Sequence, residues 1–378
     1  MRIGLDAREA FRDEPRGIGL YVRHLMREFG ALAGNDEFLL YHQLPHKTGS
    51  LDIPSNMRTV HTDIRGDRAR LWERLQMPFR IRRDRLDIYH GTYNTLPPRL
   101  RFIPGGAPMV VTLHDVIVTY WPDDIGDPFV RYARDVTKRV VRDAAIILTV
   151  SEWSKRDICE RYGCDPAKVR LSLNGVHPEF LAGAPSGAAD LIRTKYASGQ
   201  RYVFSPGAVL ERKNTGRMLI AWGQLCARGA NIPPLLLVSG LGREADRFRE
   251  RAAQAGCGDR VRILPYLDRS ELVALYAGAE LTVYPSLIEG FGIPVIESLV
   301  LGTPVAASNT SAMPEAGADH ANYFDPNSIE SMAHTIEHAL AHRSDFDKIR
   351  PAAIARARTF TWQRTAESVL ATYREIVR

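Results

Sequence analysis

The sequence lacks the features that would place it in a membrane or in an oxidising compartment. No apolar run among its 378 residues approaches the length needed to span a bilayer. The N-terminal Met-Arg-Ile-Gly-Leu-Asp is typical of a strand and not of a signal peptide. The four cysteines show neither metal-ligand spacing nor a disulfide framework: Cys159, Cys164, Cys226 and Cys257. We therefore expect a cytoplasmic protein with reduced thiols.

Basic residues outnumber acidic residues in this chain. The formal net charge is +6 and the pI is near 9.2. An excess of positive charge favours anionic partners without choosing among nucleotides, lipids and nucleic acids. The basic residues are not arranged in a known nucleic-acid-binding motif, so we expect no nucleic-acid partner. The hydrophobic fraction of 45% is ordinary for a globular chain, and the length accommodates two α/β domains.

Short apolar segments alternate with helical patterns along the chain, which predicts parallel strands joined by crossover helices. A segment rich in Ala, Gly, Ser and Pro, 181–199, interrupts this alternation. We therefore predict an α/β protein with two doubly wound, Rossmann-like domains, 1–182 and 195–360, and a ligand cleft between them. The predicted strands are 2–6, 38–43, 58–61, 88–90, 109–113, 146–150, 169–173, 202–205, 235–239, 261–264, 281–284 and 305–307.

The most informative run is 282–304, Thr-Val-Tyr-Pro-Ser-Leu-Ile-Glu-Gly-Phe-Gly-Ile-Pro-Val-Ile-Glu-Ser-Leu-Val-Leu-Gly-Thr-Pro. It predicts a strand, a loop carrying Glu289, and a helix with Pro294 near its start and Gly302 at its end. At the carboxyl end of a parallel sheet, the N–H groups and dipole of such a helix favour phosphate. Two carboxylates frame this site, Glu289 in the loop and Glu297 in the first helical turn. Because carboxylates repel phosphate, they suit hydroxyl groups, and phosphate beside hydroxyls describes a sugar nucleotide.

Glu289 and Glu297 around Gly-Phe-Gly, preceded by Tyr-Pro-Ser, resemble the E-x7-E signature of the family 4 retaining glycosyltransferases of GT-B fold. Two glutamates at this spacing are common by chance, and the surrounding strand, loop and helix make the match specific. The resemblance covers essentially the whole chain and implies two Rossmann-like domains facing across a cleft. It also implies that the last helix, 361–378, packs back on the first domain. The likeness is to bacterial polysaccharide and lipopolysaccharide mannosyltransferases.

The resemblance implies catalytic and donor-binding residues in the second domain. Glu289 would bind hydroxyls of the sugar, and Glu297 the ribose hydroxyls. Lys213 and Arg212 would hold the diphosphate and stabilise charge as the sugar departs. The family commonly has an arginine directly after the loop glycine, and here that position is Ala208, so Arg212 is the candidate to supply the guanidinium. The further donor-binding candidates are Gly207, Ser286, Gly290, Phe291 and Gly292.

In the first domain, the stretch from Asp6 to Tyr21 reads as a flexible loop that leads into a helix. As a Rossmann fingerprint it fails, because the third glycine is absent and the loop is too long, which argues against a dehydrogenase. In the resembled family a loop of this kind caps the cleft. Gly17 is therefore assigned to donor phosphate and Gly19 to the acceptor side, with a flexible surface turn as the alternative.

Three side chains at strand ends complete the candidates in the first domain. His114, at the end of a predicted strand, is the catalytic candidate because the resembled family places a histidine near the transferred sugar there. A capping pair of His114 with Asp115 is the alternative interpretation. His90 and Tyr93 follow the preceding strand and are the candidates for the acceptor side.

No strong catalytic base is evident in the sequence. Retaining transfer can proceed by double displacement or by same-face attack assisted by the leaving phosphate. The second route is the usual proposal for the resembled family, and it needs positioning and electrostatic stabilisation more than a nucleophile. No Asp-x-Asp motif lies where a diphosphate would bind, and 63–67 lacks that spacing, so we expect no metal and no cofactor. The expected donor is a nucleotide-diphospho-sugar, with GDP-mannose favoured.

Other functions stay open on the sequence alone. One is a UDP- or ADP-sugar-dependent transferase or an epimerase of the same fold, although we identify no acid–base carboxylates for epimerisation. A phosphorylase would need a pyridoxal lysine motif, which is not evident. The alternative from another class is a noncatalytic sugar-nucleotide-binding subunit.

The segment 65–85 carries eight arginines interleaved with apolar residues. A basic amphipathic helix can lie on an anionic membrane and present a lipid-linked acceptor. Pro78 would kink or split such a helix, and a solvated helix packed on the first domain is the alternative. The functional interpretation is a glycan or polyprenyl-linked acceptor, with peripheral contact at the inner face of the cytoplasmic membrane through 65–85.

Overall fold

The computed structural model describes residues 1–15, 17–43, 51–61, 71–99, 106–120, 128–207, 210–229, 231–238 and 242–377, with the backbone alone described for 128–130 and 244. The chain divides into two compact units. Unit 1 comprises Met1–Gly175 and Thr361–Arg378, and unit 2 comprises Val176–Phe360.

Unit 1 is built around a parallel sheet in the strand order β3-β2-β1-β4-β5-β6-β7. Its strands are β1 (Arg2–Asp6), β2 (Glu37–His42), β3 (Met57–His61), β4 (Ile88–Gly91), β5 (Met109–Thr112), β6 (Ile146–Thr149) and β7 (Val169–Leu171). Its helices are α1 (Ile18–Leu32), α2 (Met77–Arg83) after a π-helical turn (Trp72–Gln76), α3 (Pro128–Asp143), α4 (Glu152–Tyr162) and α14 (Trp362–Val377). The strand order reverses between β1 and β4, which is where doubly wound sheets bind ligands at their carboxyl edge.

The last helix, α14, belongs to unit 1 and packs against α1. The buried rings of Phe29 on α1 and Tyr373 on α14 lie 6.1 Å apart between their centroids. Gly175 lies so close to Trp362 that a side chain there would collide with the Trp362 backbone. The chain then enters unit 2, so residues 176–182, which the sequence assigned to the first domain, lie in unit 2.

Unit 2 repeats the architecture with a parallel sheet in the order β10-β9-β8-β11-β12-β13. Its strands are β8 (Val203–Ser205), β9 (Leu235–Val238), β10 (Val261–Leu264), β11 (Leu281–Tyr284), β12 (Val305–Ser308) and β13 (Asn322–Phe324). Its helices are α5 (Pro178–Ala182), α6 (Ala188–Ala197), α7 (Thr215–Ala227), α8 (Arg243–Gln254), α9 (Arg269–Gly278), α10 (Ile293–Val300), α11 (Met313–Gly317), α12 (Ile329–Ala341) and α13 (Arg343–Ala357). The loops after β8 and β11 therefore border the point where the strand order reverses.

The fully buried strand β11 shows why the sequence folds in this way. All four of its residues are buried, as expected for a central strand with helices on both faces. Pro294 occupies the start of α10, and Gly302, with φ +73°, follows its C-terminus. The prediction of two doubly wound, Rossmann-like domains is confirmed for each unit.

Candidate active site

Two loops of unit 2 meet where the strand order of its sheet reverses. One follows β11 and carries Ser286 and Glu289, and the other follows β8 and contains the 3-10 turn Glu211–Lys213. The Leu287 N–H donates to the Arg212 carbonyl over 2.7 Å, and the Ser286 hydroxyl donates to the same carbonyl over 3.0 Å. The second of these bonds joins residues 74 positions apart in the sequence. The fold thus brings together Glu289, Arg212, Lys213 and Ser286, which the sequence had singled out separately.

Glu289 is the centre of this junction. Its Oε1 accepts hydrogen bonds from Arg212 Nη1 at 2.8 Å, Lys213 Nζ at 2.6 Å and the Ser286 hydroxyl at 2.6 Å. Burial would raise the pKa of Glu289, but Lys213 and Arg212 outweigh that effect and hold the pKa below its ordinary value. The junction therefore gathers two cations, which suit phosphate, beside one carboxylate, which suits a hydroxyl.

Lys213 is oriented by a second buried group. Its ammonium donates to the Tyr284 hydroxyl over 2.8 Å and lies 5.2 Å from the centre of that ring. Burial, followed by the negative charge of Glu289, raises the pKa of Tyr284 well above its ordinary value. The phenol therefore stays neutral and serves as a fixed acceptor that holds the lysine near Glu289.

Glu297 lies deeper in the helix than the sequence predicted. Gly292 adopts a left-handed conformation with φ +98° and the helix begins at Ile293, so Glu297 is its fifth residue and not part of the first turn. It is 7% exposed. Burial raises the pKa of Glu297 to about 7, and Arg269 and the Tyr276 phenol oppose this rise only in part. Near neutral pH this carboxyl can therefore either donate or accept a hydrogen bond.

The raised pKa of Glu297 predicts a pH-dependent stability. The Glu297 carboxyl keeps its proton up to about pH 7 in the folded protein, whereas an unfolded glutamate loses it near pH 4.5. The protonated carboxyl therefore stabilises the folded state fully below pH 4.5, and this stabilisation is lost as the pH rises to 7. The loss is about 3 kcal/mol at most, from roughly 1.4 kcal/mol per pKa unit. We expect Glu297→Gln to unfold at a higher temperature than the unchanged protein at pH 8 and at a similar one at pH 4.5.

Thermal unfolding of both proteins between pH 4.5 and 8 measures this effect. Glu330→Gln is a suitable control, because Glu330 is an exposed glutamate paired with Arg228 at 2.7 Å. A difference between Glu297→Gln and the unchanged protein that stays constant over this pH range would contradict the assignment.

The glycine-containing loop 290–292 contributes backbone more than side chains. Phe291 is 8% exposed and packs edge-on against Phe360, with ring centroids 5.7 Å apart. Gly290 is buried, and Gly292 precedes the first residue of α10. The loop therefore places main-chain groups at the N-terminus of α10, while the Phe291 ring belongs to the packing of unit 2.

Gly207 has a packing reason for being glycine. A side chain at this position would collide with Leu237 of β9. Ala208, where the resembled family commonly has arginine, lies outside the described residues. Arg212 directs its guanidinium at Glu289, and its replacement of that missing arginine stays a prediction.

His114 follows β5 in unit 1 and is held in a defined tautomer. A carbonyl oxygen only accepts hydrogen bonds, so the 3.2 Å contact between His114 Nε2 and the Thr92 carbonyl requires a proton on Nε2. The ring also meets Tyr21 edge-on, with centroids 4.8 Å apart. Burial lowers the pKa of His114 to about 4, and the Thr92 carbonyl opposes this only in part. The neutral ring therefore presents Nδ1 as an acceptor suited to a sugar hydroxyl.

His90 occupies the core of unit 1 and not a ligand-facing surface. It is fully buried, with Nδ1 2.5 Å from the Tyr373 hydroxyl and Nε2 2.8 Å from the Thr112 hydroxyl. Burial lowers the pKa of His90 to about 3, so the ring is neutral. The acceptor-side role predicted for His90 is not one that its side chain can perform in this position. Tyr93, the other candidate, is 38% exposed and lies over the Arg8 guanidinium at 5.6 Å.

The glycine before α1, Gly17, and the glycine within it, Gly19, differ in the space around them. Gly17 is exposed with φ +47° and has open space around it, which suits close approach of a ligand. Gly19 is buried, and a β-carbon there would lie 2.6 Å from the Glu9 carbonyl oxygen. Packing therefore explains Gly19, whereas the donor-phosphate role of Gly17 stays a prediction.

The start of the predicted flexible loop is a buried ionic cluster. Arg8 donates to Asp6 through Nε at 2.9 Å, and its Nη2 lies 2.8 Å from Glu73 of the π-helical turn. All three side chains are nearly or fully buried. This cluster is not evident from the sequence, because Glu73 is 65 positions away from Arg8. The only local signal was an acidic and a basic residue placed together at the end of an apolar strand.

No helix in the described part of the chain combines the length and the apolar character needed to cross a membrane. No group of three or more His, Cys, Asp or Glu side chains within the described residues is arranged to hold a metal ion.

Two family models match the chain in succession. The model described as Glycosyltransferase Family 4 matches residues 15–180, and the model described as Glycosyl transferases group 1 matches residues 190–358. The first match falls in the part of the chain that forms most of unit 1, and the second falls within unit 2.

Full-length relatives and solved structures agree with these matches. O-antigen chain mannosyltransferase B of Escherichia coli is 26% identical, over 95% of this chain and 96% of its own. The MMP alpha-(1->4)-mannosyltransferase of Mycolicibacterium hassiacum is 25% identical, over 96% of this chain and 95% of its own. The Anabaena protein HepE, solved in complex with UDP and glucose, matches with a TM-score of 0.74 at 16% identity, over 99% of this chain and 100% of its own. At that identity, the match to HepE shows the fold alone.

Proposed function

Because the chain belongs to the GT-B glycosyltransferases, with a family 4 region followed by a group 1 region, we propose that it transfers a mannose-type hexose from a nucleotide-diphospho-sugar. The acceptor is a glycan or a polyprenyl-linked glycan of cell-surface polysaccharide assembly, reached from the cytoplasmic side. Two full-length relatives named as mannosyltransferases support the sugar, and GDP-mannose is the favoured donor. A UDP-sugar is the alternative donor, favoured by the UDP in the HepE structure.

The observation that carries this proposal is the convergence of Arg212, Lys213 and Ser286 on one oxygen of Glu289. Two cations share a single carboxylate here, and all three groups lie in loops at the point where the strand order of the sheet reverses. A diphosphate leaving group needs that positive charge, and a sugar hydroxyl needs a carboxylate acceptor.

The chemistry assigned to these groups is same-face substitution with retention. The bond from the anomeric carbon to the diphosphate oxygen breaks, and the acceptor hydroxyl oxygen bonds to that carbon on the same face. The hydroxyl proton passes to the leaving diphosphate, whose added charge Lys213 and Arg212 neutralise. Glu289 Oε2 binds a sugar hydroxyl, and Glu297 binds the ribose hydroxyls. His114 is assigned a hydroxyl of the transferred sugar because its Nδ1 is an acceptor. No step in this scheme calls on a metal ion.

A panel of nucleotides tests the proposal directly. Thermal unfolding is measured with GDP, UDP, ADP and TDP, and then with their sugar conjugates. A ligand at about one hundred times its dissociation constant adds about 2.7 kcal/mol of stability, enough to raise the unfolding temperature by several degrees. We expect a selective effect of GDP, slow GDP release from GDP-mannose without acceptor, and α-configured products from an α-configured donor.

Each other outcome changes the proposal in a defined way. A selective effect of another nucleotide keeps the transferase and replaces the donor. Nucleotide binding without any donor turnover favours a noncatalytic binding subunit. No effect of any nucleotide contradicts the donor site itself.

An exposed apolar stripe supports contact with a membrane. Leu71, Leu75 and Phe79 are spaced by four residues along the π-helical turn and α2, and they are 49%, 59% and 53% exposed. The opposite side of the same segment is buried, including Trp72 and Met77. Three arginines in the last turn of α2 add positive charge: Arg80, Arg82 and Arg83. A segment packed only for stability would bury this stripe, whereas a membrane interface needs it exposed.

Removing the stripe is expected to release the protein from anionic vesicles. Each large apolar side chain that enters the bilayer interface contributes about 1.5–3 kcal/mol, so Leu75→Ser with Phe79→Ser should weaken binding at least tenfold. Co-sedimentation with phosphatidylglycerol-containing vesicles measures this. Leu191→Ser is the control, because Leu191 is an exposed leucine of unit 2. Equal binding of the double variant and the control would remove this segment from the proposal.

A further inference from the structure

A pocket of about 950 Å3 lies in unit 2 beside the loop that carries Lys213. Its walls come from the start of α7, from α8 and from Glu211 and Leu287. None of the groups that converge on Glu289 lines it. The pocket therefore adjoins the candidate active site without sharing its side chains.

The charge of this pocket is strongly one-sided. Three arginines line it, Arg217, Arg247 and Arg251, together with a single carboxylate, Glu211. Among the side chains that the structure describes, no carboxylate forms an ion pair with any of the three arginines. Arg249 on the same helix, which does not line the pocket, pairs with Asp246 at 2.6 Å. All three arginines are exposed, so their guanidinium groups are accessible to an anionic ligand.

Local packing places one of these arginines, Arg251, beside the first turn of α7. A β-carbon at Gly216 would lie 2.5 Å from Arg251 Nη1, so the glycine lets that guanidinium lie over the first turn of α7. That turn contains no acidic residue, and Asn214 does not cap it, because its amide donates to the Pro326 carbonyl and its oxygen accepts from Arg217. Guanidinium groups beside the positive end of a helix repel it, and a bound anion would relieve that repulsion.

We propose that this pocket binds a phosphate ester that also carries hydroxyl groups. Guanidinium forks match the geometry of phosphate oxygens, and Glu211 and Gln254 in the same walls suit hydroxyls. Such a group occurs free, as a polyol phosphate, or at a membrane, as the head of phosphatidylglycerol. Leu210 and Ile220, both exposed, add apolar surface to the pocket. Because Glu211 and Asn214 flank Arg212 and Lys213, a bound ligand would also restrain the loop that carries those cations.

The test uses the full chain with both Arg212→Ala and Lys213→Ala, which removes the two cations beside Glu289 and so weakens binding of the phosphate probe there. Calorimetric titration with glycerol 3-phosphate measures the free form. Binding of the lipid form is measured by sedimentation with phosphatidylcholine vesicles, with and without phosphatidylglycerol. The chain used for this arm also carries Leu75→Ser and Phe79→Ser, so that the exposed apolar stripe does not contribute to vesicle binding. Arg217→Gln with Arg251→Gln removes two guanidinium groups from the pocket. Arg249→Gln is the matched control on the same helix.

We expect the pocket variant to weaken binding of one of the two probes at least tenfold, since each charge-assisted bond is worth about tenfold in affinity. The control should bind as its parent does. Loss of glycerol 3-phosphate binding identifies a free ligand, and loss of vesicle binding alone identifies a lipid head. If the pocket variant and the control bind both probes alike, the proposal is overturned. Nucleotide binding by the chain without substitutions reports on the donor site separately, so failure of that site is distinguishable from failure of this pocket.

Discussion

Lys213→Ala should lower the rate of transfer at saturating donor by about 100-fold to 1,000-fold, the usual effect of removing one charge-stabilising donor from a transition state. The ammonium reaches both Glu289 and Tyr284, which fix its position before the substrate arrives. Negative charge on the diphosphate grows as the sugar departs, so the loss should fall on kcat more than on KM. Steady-state kinetics with the donor identified by the nucleotide panel measures both constants.

The control for this variant is Lys195→Ala. Lys195 is also in unit 2 and also pairs with a glutamate, Glu271, at 2.5 Å, but it is 58% exposed and lies on α6. Its loss should leave both kinetic constants unchanged. An increase in KM with a normal kcat for Lys213→Ala would reduce the role of Lys213 to donor affinity.

Glu289→Gln is expected to reduce transfer at least 100-fold while the protein stays folded. Glutamine keeps the shape of the side chain but removes the charge that gathers Arg212, Lys213 and Ser286. It also replaces one carboxylate oxygen with an amide that cannot accept a hydrogen bond from a sugar hydroxyl. The same kinetic assay, with circular dichroism to verify folding, measures the effect.

A double-mutant cycle sharpens the test of Glu289. If Glu289 and Lys213 act as one unit, the double variant should be little slower than the slower of the two single variants. Glu271→Gln, which neutralises the surface pair with Lys195, provides the matched control. A near-normal rate for Glu289→Gln would remove it from the catalytic site.

The fold was largely predictable because its strands are short apolar runs bounded by polar turns. The predictions for 2–6, 261–264 and 281–284 have the same bounds as β1, β10 and β11. The sequence analysis missed β13, Asn322–Phe324, which has three residues at the edge of its sheet, two of them only partly buried. A strand of three residues is too short to show a pattern, and only its pairing with β12 defines it.

The meeting of candidate residues was predictable where they lie in loops after neighbouring strands, and not where their surroundings depend on distant packing. Glu289 and Lys213 lie in loops after strands, and their meeting follows once those strands are neighbours. The environment of His90 depends on Tyr373, 283 positions away, so no local pattern distinguishes a core histidine from an exposed one. Glu297 was assigned to the first turn because sequence does not show at which residue a left-handed glycine lets a helix begin.

The segment 71–83 shows a third case, in which the sequence left two interpretations. Its apolar residues could have faced the core together, and instead they divide between two sides. The helical backbone runs without a break through 71–83, with Pro78 in the first turn of α2, so the segment is not split. Only the fold shows that Leu75 and Phe79 stay exposed.

The position of α14 at the end of the chain determines which unit can finish folding first. Unit 1 needs this last helix to cover α1 and to supply Tyr373 to His90, yet all of unit 2 lies between them in the sequence. At about 5–20 residues per second, the ribosome takes roughly ten to forty seconds to make residues 176–360. During that interval the nascent unit 1 has an uncovered apolar face while unit 2 is still being made. The half of the protein that is synthesised first is therefore the half that finishes folding last.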